Sequence, residues 1–405
     1  MRFVILGNGV AGVNVARYIA RAGQPDTSIE IYTDESYTYY PRPKLPDFLA
    51  GVISQADLIQ YGPDWYAERG IQLRLNCRAV GLDVASQRLT LADGSAVPYD
   101  RLLLASGGRS NIPPIKGTDK AGVFSLRSLA DALVIRAHAT QAGAAVVIGG
   151  GLLGLEAARG LHLLGLKVTI VEFFPRLLPR QLDDAGAAAL QKTIEALGIS
   201  VLTNAATEEL TGAERVNGVR LKDGRQLPAD LVLISAGVRS NTELPQAAGL
   251  KVNRGVIVDD AMRTSAPAIW AAGDVAEFAG RVWGIIPAAV EQARIAAANM
   301  LSPTGAGAAA YVDIVPSNTL KVVGIDLTSI GAVNPEGEGF TELRRSGPAG
   351  QYAKLVLRDG KIVGAIMLGE KERVGPVTEL IKRGTDVSEV AVRLLNEDFD
   401  LKRLL

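Results

Sequence analysis

Phe3-Val4-Ile5-Leu6-Gly7-Asn8-Gly9-Val10-Ala11-Gly12 and Ala145-Val146-Val147-Ile148-Gly149-Gly150-Gly151-Leu152-Leu153-Gly154 are two copies of one pattern in a single chain. In each, a short apolar run meets a glycine turn and passes into a helical periodicity, Val13 to Ile19 and Leu155 to Leu164. That is strand, tight turn, helix. The first glycine (Gly7, Gly149) permits the turn, the second (Gly9, Gly151) lets the backbone approach a pyrophosphate, and the third (Gly12, Gly154) lets helix pack on strand. Phosphates would then rest on the amides that open each helix, those around Val10 and Ala11 and around Leu152 and Leu153. A lone glycine fingerprint also arises as an ordinary strand-helix connection. Two with matching flanks do not.

An acid should end the next strand about 20 residues beyond the glycines, where it can hold a ribose hydroxyl pair. Ile29-Glu30-Ile31-Tyr32-Thr33 leads to Asp34 and Glu35, and Val168-Thr169-Ile170-Val171 leads to Glu172. The repeat extends further. Leu102-Leu103-Leu104-Ala105-Ser106-Gly107-Gly108-Arg109 recurs as Leu231-Val232-Leu233-Ile234-Ser235-Ala236-Gly237-Val238-Arg239. Each follows a hairpin-like stretch with an Asp-Gly turn (Asp93-Gly94, Asp223-Gly224) and an acid before the strand, Asp100 or Asp230. The fold class is therefore α/β, with two Rossmann-like dinucleotide-binding units of roughly 110 to 130 residues, each carrying a small β-meander.

At 405 residues the chain has room for two or three domains with buried cores. Its 43 basic and 43 acidic side chains cancel, so no global field draws it to nucleic acid or an anionic membrane. The sequence enters the first strand at once, and a cleaved leader would remove the fingerprint; the mature chain is expected to start near Met1. No apolar run approaches the ~20 residues of a membrane helix, so a soluble, cytoplasmic protein without membrane insertion is expected. Cys77 is the only cysteine, which excludes an intrachain disulfide and suits a small buried hydrophobe. His138 and His162 have no cysteine or paired histidine nearby, so they read as helix-surface residues and no metal is expected.

Pro303-Thr304-Gly305-Ala306-Gly307-Ala308 reads as a flexible linker. Beyond it, Thr319 to Gly324 and Lys354 to Ile366 read as strands, the latter a hairpin about Asp359-Gly360, while Val377 to Lys382 and Val387 to Leu395 read as helices. A C-terminal α+β domain follows from Tyr311.

Two dinucleotides on one chain suggest electron traffic between them, and nearly the whole chain resembles the flavin-dependent pyridine-nucleotide oxidoreductases. Ile269-Trp270-Ala271-Ala272-Gly273-Asp274-Val275 looks like that family's second FAD signature, whose aspartate, here Asp274 after Gly273, binds the ribityl chain; alone, Asp274 would equally cap a turn. The alanine-rich helix Ile286 to Asn299, with Pro287 in its first turn and Gln292 within it, is the one the family aims at the flavin pyrimidine edge. Tyr40-Pro41-Arg42-Pro43-Lys44-Leu45 is similar to a segment that runs beside FAD in the branch of rubredoxin reductases and the nitrite reductase flavin module, and the C-terminal stretch Asn318 to Gly331 again looks like that branch. The C-terminal likeness argues against ferredoxin reductases of the oxygenase type.

The resemblance implies roles for particular residues. Asp34 would hold the adenosine ribose, with Glu35 beside it, Arg42 on the pyrophosphate and Lys44 near the flavin. Val80, Ala105, Ser106, Gly107 and Arg109 complete the FAD set. Glu156, otherwise a dipole-compensating acid, would sit beside nicotinamide and isoalloxazine. Arg180, Ala236 and Gly237 join the NADH set, and Glu172 would accept from the second ribose and repel a 2′-phosphate, favouring NADH over NADPH; Arg176 softens that preference. Glu156 and Lys44 are the catalytic candidates. The implied domains are FAD-binding at 1–110 and 240–310, NADH-binding at 111–239, and α+β at 311–405. With no cysteine where related disulfide reductases and peroxidases carry theirs, electrons are expected to leave the flavin for a small carrier protein, rubredoxin foremost. An NADH oxidase or diaphorase using oxygen or a quinone, and an NADH sensor acting through a partner, remain alternatives. Either a monomer or a homodimer is compatible with the sequence.

Overall fold

The computed structural model describes residues 1–302, 304, 307–313, 317–322 and 324–405. Pro303, Gly305 and Ala306 of the expected linker, and Val323 of the strand expected after it, lie outside the described residues. The chain divides into two compact units, Met1–Lys44 with Ile53–Asn111 and Val238–Ile314, and Leu45–Val52 with Ile112–Gly237 and Val315–Leu405.

The first unit is built on a five-stranded parallel sheet in the order Ile269–Ala271, Arg101–Leu104, Arg2–Leu6, Ser28–Tyr32, Ile71–Arg74. Its middle strand is apolar after Arg2 because both faces are covered; Phe3, Val4 and Ile5, and Trp270 on the edge strand, are each fully buried. The helix Val10–Ala22 follows the first glycine turn and ends at Gly23, whose left-handed backbone (φ 60°) suits glycine at that position. It lies against the helix Ile286–Leu301. An antiparallel meander, Ala79–Asp83, Arg88–Leu91 and Ala96–Pro98, precedes the strand Arg101–Leu104.

The second unit repeats the plan. Its parallel sheet runs Ser200–Leu202, Lys167–Val171, Ala144–Ile148, Leu231–Ile234, Val123–Phe124, with the meander Thr207–Thr211, Gly218–Leu221, Gln226–Pro228 before the strand Leu231–Ile234. The fifth strand differs in origin: Val123–Phe124 comes from upstream of the glycine turn, whereas Ile269–Ala271 comes from far downstream. The same unit contains a five-stranded antiparallel sheet, Ser317–Val322, Ile325–Gly331, Lys361–Leu368, Tyr352–Arg358, Phe340–Ser346, with the helix Lys371–Arg383 over it and a core around Leu355, Met367, Val377 and Leu380. The hairpin at Asp359-Gly360 forms, with both residues at positive φ (50° and 72°).

Two expectations need correction here. The helix expected from Val377 starts at Lys371 and accommodates Pro376 within it. The helix expected over Val387 to Leu395 is a short 3₁₀ segment, Ser388–Arg393, because the Asp386 carboxylate takes the Ser388 N–H (2.9 Å) and hydroxyl (2.6 Å). His138 lies on a helix as expected, half-buried, its Nε2 3.0 Å from the Asp230 carbonyl oxygen.

Candidate functional site

Each glycine turn is fixed by its strand neighbours. The Gly7 N–H donates to Tyr32 O and the Gly149 N–H to Val171 O, both at 2.8 Å. Gly7 and Gly149 have φ of 114° and 118°, and a Cβ on either would stand 2.2 Å from the carbonyl oxygen of Ala105 or Ser235. A Cβ on Gly12 or Gly154 would lie 2.0 Å from the oxygen of Gly7 or Gly149. These four glycines are demanded by the fold itself. The middle ones are not: a Cβ on Gly151 meets nothing within 4 Å, and one on Gly9 meets only Arg42 Nη1 at 3.6 Å. Space for a Cβ therefore lies open at both turns, on the side from which a ligand would approach the backbone.

The helices that begin there, Val10–Ala22 and Leu152–Leu163, have glycine N-caps, no side-chain cap and no acid in the first turn. Their opening amides and dipoles are left for an anion. As a dipole-compensating acid Glu156 would stand in that first turn; because the helix begins at Leu152, it falls in the second turn, half-buried. Compensation of the dipole at the first turn is thus not its task.

In the first unit, a pocket beside the cradle is lined by Asn8, Thr33, Glu35, Tyr37, Thr38, Tyr40 and Arg42. Glu35 lines it, while Asp34, which the sequence reading assigned to the ribose, is exposed and outside it. The Glu35 carboxylate accepts hydrogen bonds from the Tyr40 hydroxyl and Arg42. Asn8 is held by the Tyr66 hydroxyl (3.1 Å), which burial pushes up to about 12 in pKa, keeping it a neutral donor. Gly273 packs on the start of the first helix, where a Cβ on it would stand 3.0 Å from Ala11 Cβ, and its N–H donates to Gln292 Oε1 at 2.9 Å. Gly7, Gly9, Val10, Ala11, Gly12, Glu35, Arg42, Ala105, Gly273 and Gln292 are thereby gathered around one turn, and Asp274 follows Gly273 in the chain.

Others of the expected FAD set lie further out. Ser106 and Gly107 anchor Asn241 through their carbonyls (2.8 and 3.0 Å). Arg109 is exposed and pairs with Glu243 and Asn241. Lys44 is exposed, and its charge helps hold the Asp57 carboxyl below its ordinary pKa, after the larger effect of the Ser54 hydrogen bonds. Val80 and Pro287 are also exposed.

In the second unit, Glu172 is 6% exposed and accepts from the N–H groups of Gly150 (2.5 Å) and Phe174 (2.8 Å). The acid is locked to the turn it serves. Arg176 donates to Asp184 (2.9 Å) and Arg180 is exposed. Ala236 and Gly237 lie just beyond the strand Leu231–Ile234, Gly237 with open space beside it. Among the described residues, no helix is long and apolar enough to cross a membrane, and no group of three or more His, Cys, Asp or Glu residues is arranged to hold a metal ion.

Sequence reasoning passed over Asn8, Thr33, Tyr37, Thr38 and Tyr40. Tyr40 stood inside a quoted motif, yet its link to Glu35 depends on how the intervening loop turns back.

Comparison with known proteins gives a consistent result. Residues 1–293 match the family described as pyridine nucleotide-disulphide oxidoreductase, and residues 316–385 match the rubredoxin NAD+ reductase C-terminal domain. The chain is 37% identical to nitrite reductase [NAD(P)H] of Bacillus subtilis, covering 96% of this chain and 48% of that protein, so it spans about half the length of this curated relative. It is 35% identical to the ferredoxin--NAD(+) reductase component of the biphenyl dioxygenase system of Paraburkholderia xenovorans, over 99% and 97% of the two chains. A crystal structure of NADH:rubredoxin oxidoreductase from Clostridium acetobutylicum superposes with a TM-score of 0.77 at 28% identity, covering 95% and 96%. The likeness to the biphenyl dioxygenase component covers 99% of the chain, so the C-terminal stretch alone does not exclude ferredoxin reductases of the oxygenase type, while the match over residues 316–385 bears out its likeness to rubredoxin reductases.

Proposed function

Because the chain belongs to the pyridine nucleotide-disulphide oxidoreductase family, with FAD and NADH as its cofactors, we propose that it passes electrons from NADH through FAD to a small electron-carrier protein, rubredoxin foremost. The observation that carries this reading is the pair of matching cradles, each open above its middle glycine. When bound, FAD supplies a centre that accepts a hydride and releases electrons singly. The protein's own part is to bind, orient and exclude.

The first cradle, with Asp274 toward the ribityl chain and Glu35 toward the adenosine ribose, is assigned to FAD, on a domain spanning 1–110 and 240–310. The second, with Glu172 toward the ribose, is assigned to NADH on 111–239, and 311–405 forms the C-terminal domain. Glu156 and Lys44 are assigned to the reacting ends of the bound cofactors. No nucleophile or strong general base is required, so orientation and fixed dipoles supply most of the catalysis. The start of the helix Ile286–Leu301, which has no side-chain cap and carries Pro287 in its first turn, supplies such a dipole.

Cys77 is the sole thiol of this sequence, so no on-chain disulfide relays the electrons. A ferredoxin is the second carrier reading, favoured by the full-length likeness to the biphenyl dioxygenase component. Stopped-flow reoxidation of the NADH-reduced protein tests both. Faster reoxidation by rubredoxin than by air is expected; equal rates with air, rubredoxin and ferredoxin would sink the carrier reading.

A further inference from the structure

Glu35 turns its carboxylate oxygens toward two side chains of the loop that follows it. Oε2 accepts from the Tyr40 hydroxyl and Oε1 from Arg42. Tyr40 is only 5% exposed, and its ring centroid lies 5.8 Å from the Arg42 guanidinium carbon. The backbone of Glu35 is held as well, its N–H 3.3 Å from Thr33 Oγ1 and its carbonyl accepting from Asn76 N–H at 3.1 Å. Meanwhile the Arg42 guanidinium reaches the glycine turn, 3.6 Å from the Cβ position of Gly9. The same arginine therefore spans from the acid to the phosphate cradle.

We propose that Tyr40 is a positioning residue that aims Glu35 at the adenosine ribose, and that this clamp makes the first cradle discriminate FAD from FMN. The proposal rests on the assignment of FAD to that cradle. A carboxylate has about four lone-pair sites. Tyr40 and Arg42 occupy two, one on each oxygen, which leaves one on each oxygen for the two vicinal hydroxyls of a ribose. The terminal torsion of a glutamate is broad and roughly two-fold, so nothing intrinsic to Glu35 holds the plane of its carboxylate. The buried Tyr40 hydroxyl supplies that restraint. FMN ends at its phosphate and offers no ribose, so loss of the restraint leaves its binding untouched.

Apoprotein of the wild type, Tyr40→Phe, Glu35→Gln and the double variant would be titrated with FAD and with FMN, following flavin fluorescence. Tyr40→Phe is expected to raise the Kd for FAD roughly 5- to 10-fold, less than the ~10- to 150-fold worth of a charge-assisted hydrogen bond because the ribose keeps its acceptor and loses only its aim, and to leave the Kd for FMN within about twofold. Glu35→Gln should weaken FAD at least as much, and adding Tyr40→Phe to it should cost nothing further. Should Tyr40→Phe fail to fold, Glu35→Gln with the two flavins reads the same discrimination. Equal weakening of FAD and FMN, or an unchanged Kd for FAD, overturns the clamp and leaves the FAD assignment standing. A wild type that binds FAD no better than FMN overturns both.

Discussion

The Tyr352 hydroxyl donates to Oδ2 of Asp183 at 2.7 Å, joining residues 169 positions apart inside the second unit. Asp183 also caps the helix Asp184–Ala196 through the Gly186 N–H (3.1 Å) and receives Arg344 Nε (3.2 Å) and Lys354 Nζ (3.5 Å). Lys354 is 1% exposed and has a second acid, Glu342, at 2.8 Å. One carboxylate thus ties the antiparallel sheet to the helix beside the second parallel sheet. Asp183→Asn takes the charge from a cap that serves Tyr352, Arg344 and the buried Lys354, which keeps Glu342, and should cost about 1–3 kcal/mol at pH 7, measured by urea unfolding.

The same cluster sets an acid limit. Burial works against ionisation of Asp183, but the hydrogen bonds from Tyr352 and Gly186, the charge of Lys354 and the hydrogen bond from Arg344 outweigh it and hold the carboxyl below its ordinary value. A depressed carboxyl contributes fully above the unfolded value, ~3.9, and the contribution is lost as pH falls through the lower folded value. The stability gap between wild type and Asp183→Asn should be constant from pH 7 to about 5 and shrink below about 4. A gap that widens on acidification would contradict this.

Substitution of the glycines should separate folding from binding. Gly12→Ala and Gly154→Ala drive a methyl to within 2.0 Å of a carbonyl oxygen and should lose at least ~2 kcal/mol of stability. Gly151→Ala meets no atom within 4 Å, so its melting temperature should stay near wild type while its Kd for NADH rises tenfold or more. Thermal melts and NADH titration together check this, and equal destabilisation across the three would refute it.

Glu172 should govern the choice of nicotinamide cofactor. Glu172→Ser removes a charge-assisted acceptor, expected to lower kcat/KM for NADH about 10- to 150-fold, from a loss of roughly 1.5–3 kcal/mol. The value for NADPH should fall less, since repulsion of its 2′-phosphate goes too. Wild-type preference for NADPH would overturn the assignment.

Cys77 should be dispensable. Its Sγ lies 3.2 Å from the Leu75 carbonyl oxygen in a half-buried position, so Cys77→Ala removes only packing and a weak hydrogen bond. NADH-driven reduction of a dye or carrier is expected within about twofold of wild type. A collapse of turnover with normal flavin content would restore a thiol to the chemistry.

The glycine cradles were legible because their constraints are local: Gly7 and Gly12 answer to a turn and to their own strand. Glu35 over Asp34 was not. The strand Ser28–Tyr32 is covered on both faces, so no alternation of burial carries forward to say which neighbouring acid turns into the pocket. The Tyr40 clamp depends on a loop doubling back, which composition does not encode. Glu156 moved to the second turn because Leu152 and Leu153, counted with the glycine motif, already belong to the helix. Farther on, the Asp386 carboxylate captured the N–H that an apolar pattern had assigned to a helix.

The late origin of the strand Ile269–Ala271 sets an order of events during synthesis. It completes one edge of the first parallel sheet beside Arg101–Leu104, yet roughly 165 residues are made between them. At ribosomal speeds of about 5–20 residues per second that is a delay of roughly 10–30 s. Every strand of the second parallel sheet, from Val123 to Ile234, emerges within that interval. During it, Arg101–Leu104 has the Arg2–Leu6 strand on one side and an unpaired edge on the other, the kind of exposed strand that recruits foreign chains. Nascent chains halted before Ile269 should therefore aggregate more readily than those released after Ala271.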